Sequence, residues 1–80
     1  MRIDKFLKVS RIIKRRTVAS DACDASRVSI NGKTAKSSAQ LKIGDTVEVK
    51  FGASPLRFRV LSLQESTRKE DADSMYEILA

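Results

Sequence analysis

The first 36 residues constrain the fold more than any other stretch, because they join two short helical patterns to a hairpin signal. Apolar residues at helical spacing predict a first helix, and a run of small residues over 17–25 predicts a second. Residues 27–30 then alternate like a strand, and Asn31-Gly32 follows. This dipeptide is the strongest short-range signal for a β-hairpin, since both central residues of a type I′ turn need positive φ.

The positive charge of the chain lies entirely in the same stretch. Residues 1–36 hold ten Lys or Arg against three acids, residues 37–80 hold six against seven, and the whole chain carries +6. A small module with its positive charge in one part is typical of a nucleic-acid binder. A length of 80 residues predicts one domain with a thin core and little room for an active-site cleft.

The first helix is predicted to bury a stripe formed by Ile3, Phe6, Leu7 and Ile13. Asp4 is the expected N-cap, because its carboxylate is placed to accept the Leu7 N–H at the positive end of the helix. These positions predict an amphipathic helix that begins just after the N-terminus.

Basic residues cover the other side of this helix, with Lys5, Lys8 and Arg11 at positions i, i+3 and i+6. A trio of this kind is equally typical of a solvated helix face. The run at residues 14–16, Lys-Arg-Arg, favours nucleic-acid binding, because adjacent like charges repel one another when no polyanion is near.

The second helix is expected to begin at Thr17 as N-cap and to pack closely through small side chains. Its packing side is predicted to hold Val18, Ala22 and Ser26, with Ala19 and Cys23 beside them. The single cysteine cannot form an internal disulfide, and its position predicts a core residue rather than a reactive thiol.

The C-terminal half predicts further strands. Thr46 to Phe51 alternates cleanly after the turn at Gly44-Asp45, and residues 56–63 alternate again. Residues 65–74 contain one apolar side chain and predict a mobile loop, and residues 75–79 predict a closing strand.

The composition excludes several kinds of chemistry. The chain has no histidine and one cysteine, which excludes Cys/His zinc fingers, Cys/His nucleophilic pairs and Ser-His-Asp triads. The three glycines lie far apart, so they form no phosphate-cradling loop. No apolar run approaches the ~20 residues of a membrane span, and early charges interrupt any signal peptide. We therefore expect a cytoplasmic protein with no catalytic residue, no cofactor, no metal and no membrane partner.

The N-terminal pattern resembles the αL RNA-binding family, the S-four type named for a small-subunit ribosomal protein. The matching residues run from Arg2-Ile-Asp-Lys through Lys14-Arg-Arg-Thr to Arg27-Val-Ser-Ile-Asn-Gly, and on through Gly44-Asp45 with Val47-Glu-Val. The resemblance implies an α+β fold in which two short helices pack on a small, mainly antiparallel sheet. It also implies that the helices and their hinge face structured RNA, with one domain over 1–80, a core motif over 1–50, and C-terminal strands and loop over 51–80.

Over essentially the whole chain, the sequence is similar to the stand-alone members of this family that serve bacterial ribosome-associated quality control. The resemblance implies a factor bound to an obstructed large ribosomal subunit, in contact with an interface rRNA hairpin and the P-site peptidyl-tRNA. We expect this factor to be a monomer. The resemblance also implies assistance to RqcH in adding C-terminal alanine residues to the stalled chain. The chain departs from the family pattern at Ser26, where Gly is usual, and at Ile43, where Pro is usual. A left-handed Ser26 costs about 1 kcal/mol.

The predicted site follows from charge and from this resemblance together. Arg2 and Arg16 are the first candidates for RNA contact, because the planar guanidinium fork bridges phosphates or stacks on a base. Asp4 is expected to cap its helix and to orient a neighbouring arginine. The full set of predicted RNA-binding residues is Arg2, Lys5, Lys8, Arg11, Lys14, Arg15, Arg16, Thr17, Arg27, Lys33 and Lys36.

Three alternatives stay open. The chain is also compatible with the RNA-binding module of another ribosome-assembly or heat-shock rescue factor, or with the RNA-binding part of a modifying enzyme. A small DNA-binding regulator is the third. Against it, the second helix carries two acids and no base over residues 17–25, which is the wrong charge for a recognition helix.

Overall fold

Within the residues that the computed structural model describes, 1–51, 54–63, 72 and 74–79, two short helices precede five strands. The elements in chain order are α1 (Ile3–Val9), α2 (Arg16–Asp24), β1 (Val28–Ile30), β2 (Lys33–Thr34), β3 (Thr46–Phe51), β4 (Ser54–Val60) and β5 (Tyr76–Ile78). The described strands form one sheet in the order β2-β1-β3-β4-β5, and every neighbouring pair is antiparallel. The predicted α+β architecture is confirmed.

One face of the sheet packs against the helices. Val28 lies opposite Val49, and Val47 lies opposite Phe58, so alternate residues of three strands point into a shared core. The Phe6 ring of α1 stacks on Phe58 with centroids 5.9 Å apart. The buried cluster comprises Ile3, Phe6, Leu7, Ile13, Ala19, Cys23, Val28, Leu41, Val47, Val49, Phe58, Val60 and Met75.

The predicted hairpin is present between β1 and β2. Asn31 has φ 52° and Gly32 has φ 84°, the two positive values that a type I′ turn needs. The Asn31 side chain also reaches the turn before β3, where its Nδ2 donates to Asp45 Oδ1 at 3.1 Å. Its Oδ1 accepts the Thr46 N–H at 2.9 Å, so one side chain joins the hairpin to the start of β3.

The first helix is shorter than predicted. Arg11 has φ 63° and lies two residues beyond the end of α1, so the predicted helix face shared by Lys5, Lys8 and Arg11 is wrong for Arg11. Ile13 is buried as expected, but not as part of the helix. The chain turns back after α1, and the Ile13 N–H donates to the Leu7 carbonyl at 3.0 Å.

The second helix differs from its prediction at its start and in its packing face. Arg15 is the N-cap without a side-chain cap, and Thr17 lies exposed in the first turn, so the predicted Thr17 cap is wrong. Ala19 and Cys23 are buried, whereas Val18 is 51% exposed. The chain is extended at Arg15, just before α2, and the helix is rotated so that the side with Ala19 and Cys23 faces the core.

The C-terminus of α2 closes with a left-handed residue. Ser26 has φ 61°, its N–H donates to the Cys23 carbonyl at 3.0 Å, and the Arg27 N–H donates to the Ala22 carbonyl at 3.0 Å. This is the Schellman arrangement, which usually uses glycine at the left-handed position. Ser26 therefore adopts the left-handed conformation whose cost was considered in the sequence analysis.

The C-terminal half confirms the strands and leaves one prediction outside the description. β3 buries Val47 and Val49, and β4 buries Phe58 and Val60, as the alternation predicts. The mobile loop predicted over residues 65–74 lies outside the described residues, apart from Ala72 and Ser74.

Candidate nucleic-acid interface

The first turn of α1 is held by a distant backbone segment. Arg2 is the N-cap residue and forms no side-chain cap. The Ile3 N–H donates to the Ala39 carbonyl at 2.8 Å, and the Asp4 N–H donates to the Ser37 carbonyl at 3.4 Å. Acceptors from residues 37–39 thus replace the predicted side-chain cap. The prediction that Asp4 caps the helix is wrong, and Asp4 lies inside the first turn.

The Asp4 carboxylate joins two arginines. Arg2 donates through Nε to Oδ1 at 3.2 Å and through Nη2 to Oδ2 at 3.1 Å. Arg16 donates through Nε to Oδ2 at 3.5 Å, across twelve residues of chain. The Lys5 N–H also donates to Oδ1, at 2.8 Å. We call Arg2, Asp4 and Arg16 the Asp4 cluster.

Burial differs sharply between the members of the Asp4 cluster. The Asp4 side chain is 4% exposed, whereas those of Arg2 and Arg16 are 45% and 48% exposed. A buried carboxylate needs charged partners, so it holds both guanidinium groups in defined positions. Two positive charges against one negative charge leave a net positive cluster with part of each arginine open to solvent. The predicted role of Asp4 in orienting an arginine agrees with this geometry.

The start of α2 adds to the positive potential at this place. Lys14, Arg15 and Arg16 are all exposed, and they lead directly into the helix. No side chain caps α2, so its first N–H groups and its positive dipole end are open to an anion. The hinge that the sequence predicted as basic therefore meets the Asp4 cluster through Arg16.

The other predicted site residues occupy several places. Lys36 is exposed and lies one residue before Ser37, whose carbonyl accepts the Asp4 N–H. Lys8 lies in the last turn of α1, and Arg11 follows in the left-handed turn. Lys33 lies on β2, the edge strand of the hairpin.

Arg27 lies at the opposite end of α2 from Arg16, beside a residue that the sequence analysis missed. The Lys50 N–H donates to the Arg27 carbonyl at 2.9 Å, and both side chains are exposed. Within the described part of the chain, neither forms an ion pair with a carboxylate. Lys50 was missed because its position in β3 looks like any solvated residue of an alternating strand.

The face of the sheet away from the helices has a different charge pattern. Arg57 and Glu48 are opposite one another and pair at 3.8 Å, and Arg59 pairs with Glu77 at 4.0 Å. We call these four residues the outer sheet face. They form two pairs of opposite charge, so together these four residues carry no net charge.

The thiol of Cys23 is buried and has a raised pKa. Burial is the largest cause that raises its pKa to about 11, with smaller contributions from the carboxylates of Asp4 and Asp24. At neutral pH the thiol therefore stays protonated and is a poor nucleophile. Among the residues described, no group of His, Cys, Asp or Glu is placed to hold a metal ion, and no helix has the length and hydropathy to cross a membrane.

Comparisons with known proteins bear on the whole chain. The family model described as S4 domain matches residues 1–47. A protein of Streptococcus pneumoniae named RQC P-site tRNA stabilizing factor is 56% identical over 80 residues, which cover 100% of this chain and 91% of the relative. A Bacillus subtilis protein with the same name is 52% identical over 79 residues, covering 99% of this chain and 92% of the relative.

Solved structures share the fold along its full length. Heat Shock Protein 15 of Vibrio cholerae, described as trimeric, has a TM-score of 0.92 at 26% identity and covers 100% of this chain and 82% of its own. The solution structure of a hypothetical protein, HP1423, has a TM-score of 0.86 at 30% identity and covers 100% of this chain and 98% of its own.

Proposed function

The chain belongs to the S4 domain family, and we propose that it binds ribosomal RNA and stabilises P-site tRNA on obstructed large ribosomal subunits during ribosome-associated quality control. The relatives named RQC P-site tRNA stabilizing factor match essentially the whole chain, including the C-terminal strands beyond the S4 domain match. The Asp4 cluster and the basic hinge form the RNA-binding face.

The Asp4 cluster is the observation that carries this proposal. A carboxylate repels phosphate, so a buried Asp4 within a basic face has no direct use in RNA contact. Its two guanidinium partners explain its presence, because both are held in place while about half of each side chain stays exposed. Arginines with fixed forks suit folded RNA, where phosphates and bases have defined positions.

Co-sedimentation with large subunits tests the proposal. Purified large subunits that carry peptidyl-tRNA in the P site are mixed with the protein and pelleted, beside empty large subunits and small subunits. We expect binding to the tRNA-carrying large subunits, weaker binding to the empty ones and little to the small subunits. Equal binding to all three would contradict a role at the P site.

The finer steps of this role are part of the proposal. We propose that the protein assists RqcH in adding C-terminal alanine residues to the stalled chain, and that an interface rRNA hairpin is one of its contacts. The support is the similarity of the whole sequence to the relatives described above. In a reaction of tRNA-carrying large subunits, RqcH and alanyl-tRNA, we expect the protein to increase alanine incorporation. Incorporation that is the same without the protein would contradict this step.

We also propose that the protein is a cytoplasmic monomer without catalytic activity of its own. The chain contains no histidine, and its one cysteine is buried with a raised pKa, so it offers neither a histidine base nor a reactive thiolate. Light scattering of the purified protein tests the monomer. RNA incubated with the protein alone should be recovered with no modification or cleavage.

A second candidate function is rescue of similar subunits after heat shock. The observation that favours it is the TM-score of 0.92 to Heat Shock Protein 15 over the full chain. The two functions differ in their dependence on RqcH. Subunit binding that relieves a translation defect equally in cells with and without RqcH would favour heat-shock rescue.

A further inference from the structure

A cleft of about 420 Å³ runs along the exposed side of α2. Its length is formed by Val18, Asp21, Ala22 and Ala25, which recur at helical spacing on one side of α2. We call it the α2 cleft. Its volume lies at the lower end of the range for sites that take a small molecule or a single group.

The walls of the α2 cleft are apolar and its C-terminal end is basic. Buried Ile13 contributes to the lining, and Val18 remains 51% exposed although it is a large apolar residue on a helix surface. Arg27 and Lys50 line the end of the cleft near the C-terminus of α2. They are adjacent through the hydrogen bond from the Lys50 N–H to the Arg27 carbonyl at 2.9 Å.

This combination matches one chemical unit. Two adjacent cations that form no ion pair within the described residues suit a phosphate, and an apolar slot beside them suits the flat face of a base. Asp21 would repel a phosphate but can accept a hydrogen bond from an exocyclic amino group, as acidic side chains do with cytosine. The other end of the slot lies within one helical turn of Arg16, so the cleft continues the RNA-binding face.

We propose that the α2 cleft takes one unstacked nucleotide of the bound RNA, with its phosphate at Arg27 and Lys50 and its base against Val18, Ala22 and Ala25. This inference rests on the proposed function and adds a defined base contact to the RNA-binding face. Asp21 favours adenine, cytosine or guanine over uracil, because uracil has no exocyclic amino group to donate. Structured RNA offers such nucleotides in its loops and bulges.

Photocrosslinking on the full particle tests the site without knowledge of the RNA sequence. A photoreactive diazirine analogue of leucine is placed at position 18, the protein is bound to large subunits carrying peptidyl-tRNA, and crosslinks are mapped by reverse transcription. The matched control carries the same residue at position 43, where Ile43 is 66% exposed and apolar but outside the cleft. We expect one RNA base to crosslink at position 18 and no RNA to crosslink at position 43.

A filled cleft gives the second measurement. Ala25→Leu adds volume at an exposed position of the cleft without a change of charge, and Thr34→Leu makes a similar addition on exposed β2. We expect Ala25→Leu to abolish the crosslink and weaken subunit binding at least about fivefold, and Thr34→Leu to bind like the parent protein. Thermal melting confirms that each variant is folded.

The outcomes separate the two proposals. If the parent protein fails to bind tRNA-carrying large subunits, both the proposed function and this site are overturned. If the parent protein binds and position 18 crosslinks to a protein, to several scattered nucleotides or to nothing, only the nucleotide site is overturned. If folded Ala25→Leu binds subunits with the affinity of the parent protein, again only the nucleotide site is overturned.

Discussion

The Asp4 cluster and the outer sheet face contain the same ion pair, an arginine against a carboxylate, in two different settings. In the Asp4 cluster a carboxylate that is 4% exposed receives two guanidinium groups. On the outer sheet face each carboxylate meets one arginine, at 3.8 or 4.0 Å, and all four side chains are open to solvent. One setting leaves a net positive charge and the other leaves none.

The difference shows how burial of a carboxylate restricts the arginines that pair with it. Exposed pairs contribute about 0–1 kcal/mol, and their long side chains keep much of their freedom. A buried carboxylate tolerates only arrangements in which its partners stay close, so it restricts its arginines before any RNA arrives. Less rotamer entropy is then lost on binding. The same residue types thus predict an RNA contact at one place and a solvated surface at the other.

We expect the largest effect from salt, because the affinity for large subunits should depend on the charges of the N-terminal half and not on those of the outer sheet face. If the N-terminal half neutralises several phosphates, we expect affinity for tRNA-carrying large subunits to fall about a hundredfold between about 50 and 200 mM salt, because bound counterions are released on association. A variant with both Arg57→Ala and Arg59→Ala should keep the same slope. Affinity that is independent of salt would contradict an electrostatic interface.

Replacement of Arg16 is expected to give the next largest effect. Arg16→Ala should weaken subunit binding at least about tenfold, because each charge-assisted contact contributes about 1.5–3 kcal/mol. Its pair with Asp4 is long and its side chain half exposed, so the free energy of unfolding should change by no more than about 0.5 kcal/mol. Arg2→Ala should weaken binding similarly, but it also removes two shorter hydrogen bonds to the buried Asp4 carboxylate, so it should cost about 1–3 kcal/mol of unfolding free energy. Co-sedimentation beside thermal melting measures both quantities.

Two further variants complete the Arg16 comparison. Arg16→Lys keeps the charge without the fork, so it should restore binding only in part. Arg57→Ala, on the outer sheet face, is the matched control and should bind like the parent protein. Parental binding by folded Arg16→Ala would remove Arg16 from the site, and an unfolded Arg16→Ala would show that the residue is structural.

Asp4→Asn tests whether Asp4 acts by orienting the arginines or only through its charge, since the two roles predict opposite changes in RNA-binding affinity. The change makes the chain one unit more positive, so charge alone would tighten RNA binding. Loss of the charged acceptor would release both arginines, and we therefore expect binding to weaken about fivefold. The free energy of unfolding should fall by about 1–3 kcal/mol. Titration of subunits with the variant measures the direction, and tighter binding would overturn the positioning role.

Glu48→Gln on the outer sheet face should have the smallest effect. It removes one carboxylate charge in the same way as Asp4→Asn, but from a partly exposed pair with Arg57. We expect binding within twofold of the parent and an unfolding free energy within about 0.5 kcal/mol. A loss as large as that of Asp4→Asn would break the distinction between the two regions.

The sequence predicted the elements whose causes are local. The turn at Asn31-Gly32 follows from backbone preference at two residues, and the buried face of β3 follows from alternation of Val47 and Val49. It predicted correctly that two helices precede the sheet. These features need no information from distant parts of the chain.

The incorrect predictions all depend on contacts with residues far away in the sequence. Asp4 looked like a cap because the local pattern does not show that the Ala39 carbonyl already accepts the Ile3 N–H. Val18 was placed in the core because the phase of α2 depends on the extended hinge before it. Lys50 could not be connected to Arg27 without the pairing of β1 and β3, which brings together residues 23 positions apart.

The clamped side chain of Asn31 has a consequence for the chemical ageing of the protein. An asparagine before glycine is prone to deamidation, because the next backbone nitrogen readily attacks the side-chain carbonyl carbon. Here Nδ2 donates to Asp45 and Oδ1 accepts the Thr46 N–H, so attack on the side-chain carbonyl carbon would have to disturb two hydrogen bonds. Deamidation would replace the donor to Asp45 with a second carboxylate, and repulsion would follow where a hydrogen bond was. The hydrogen bonds that join the hairpin to β3 thus also slow the deamidation of Asn31.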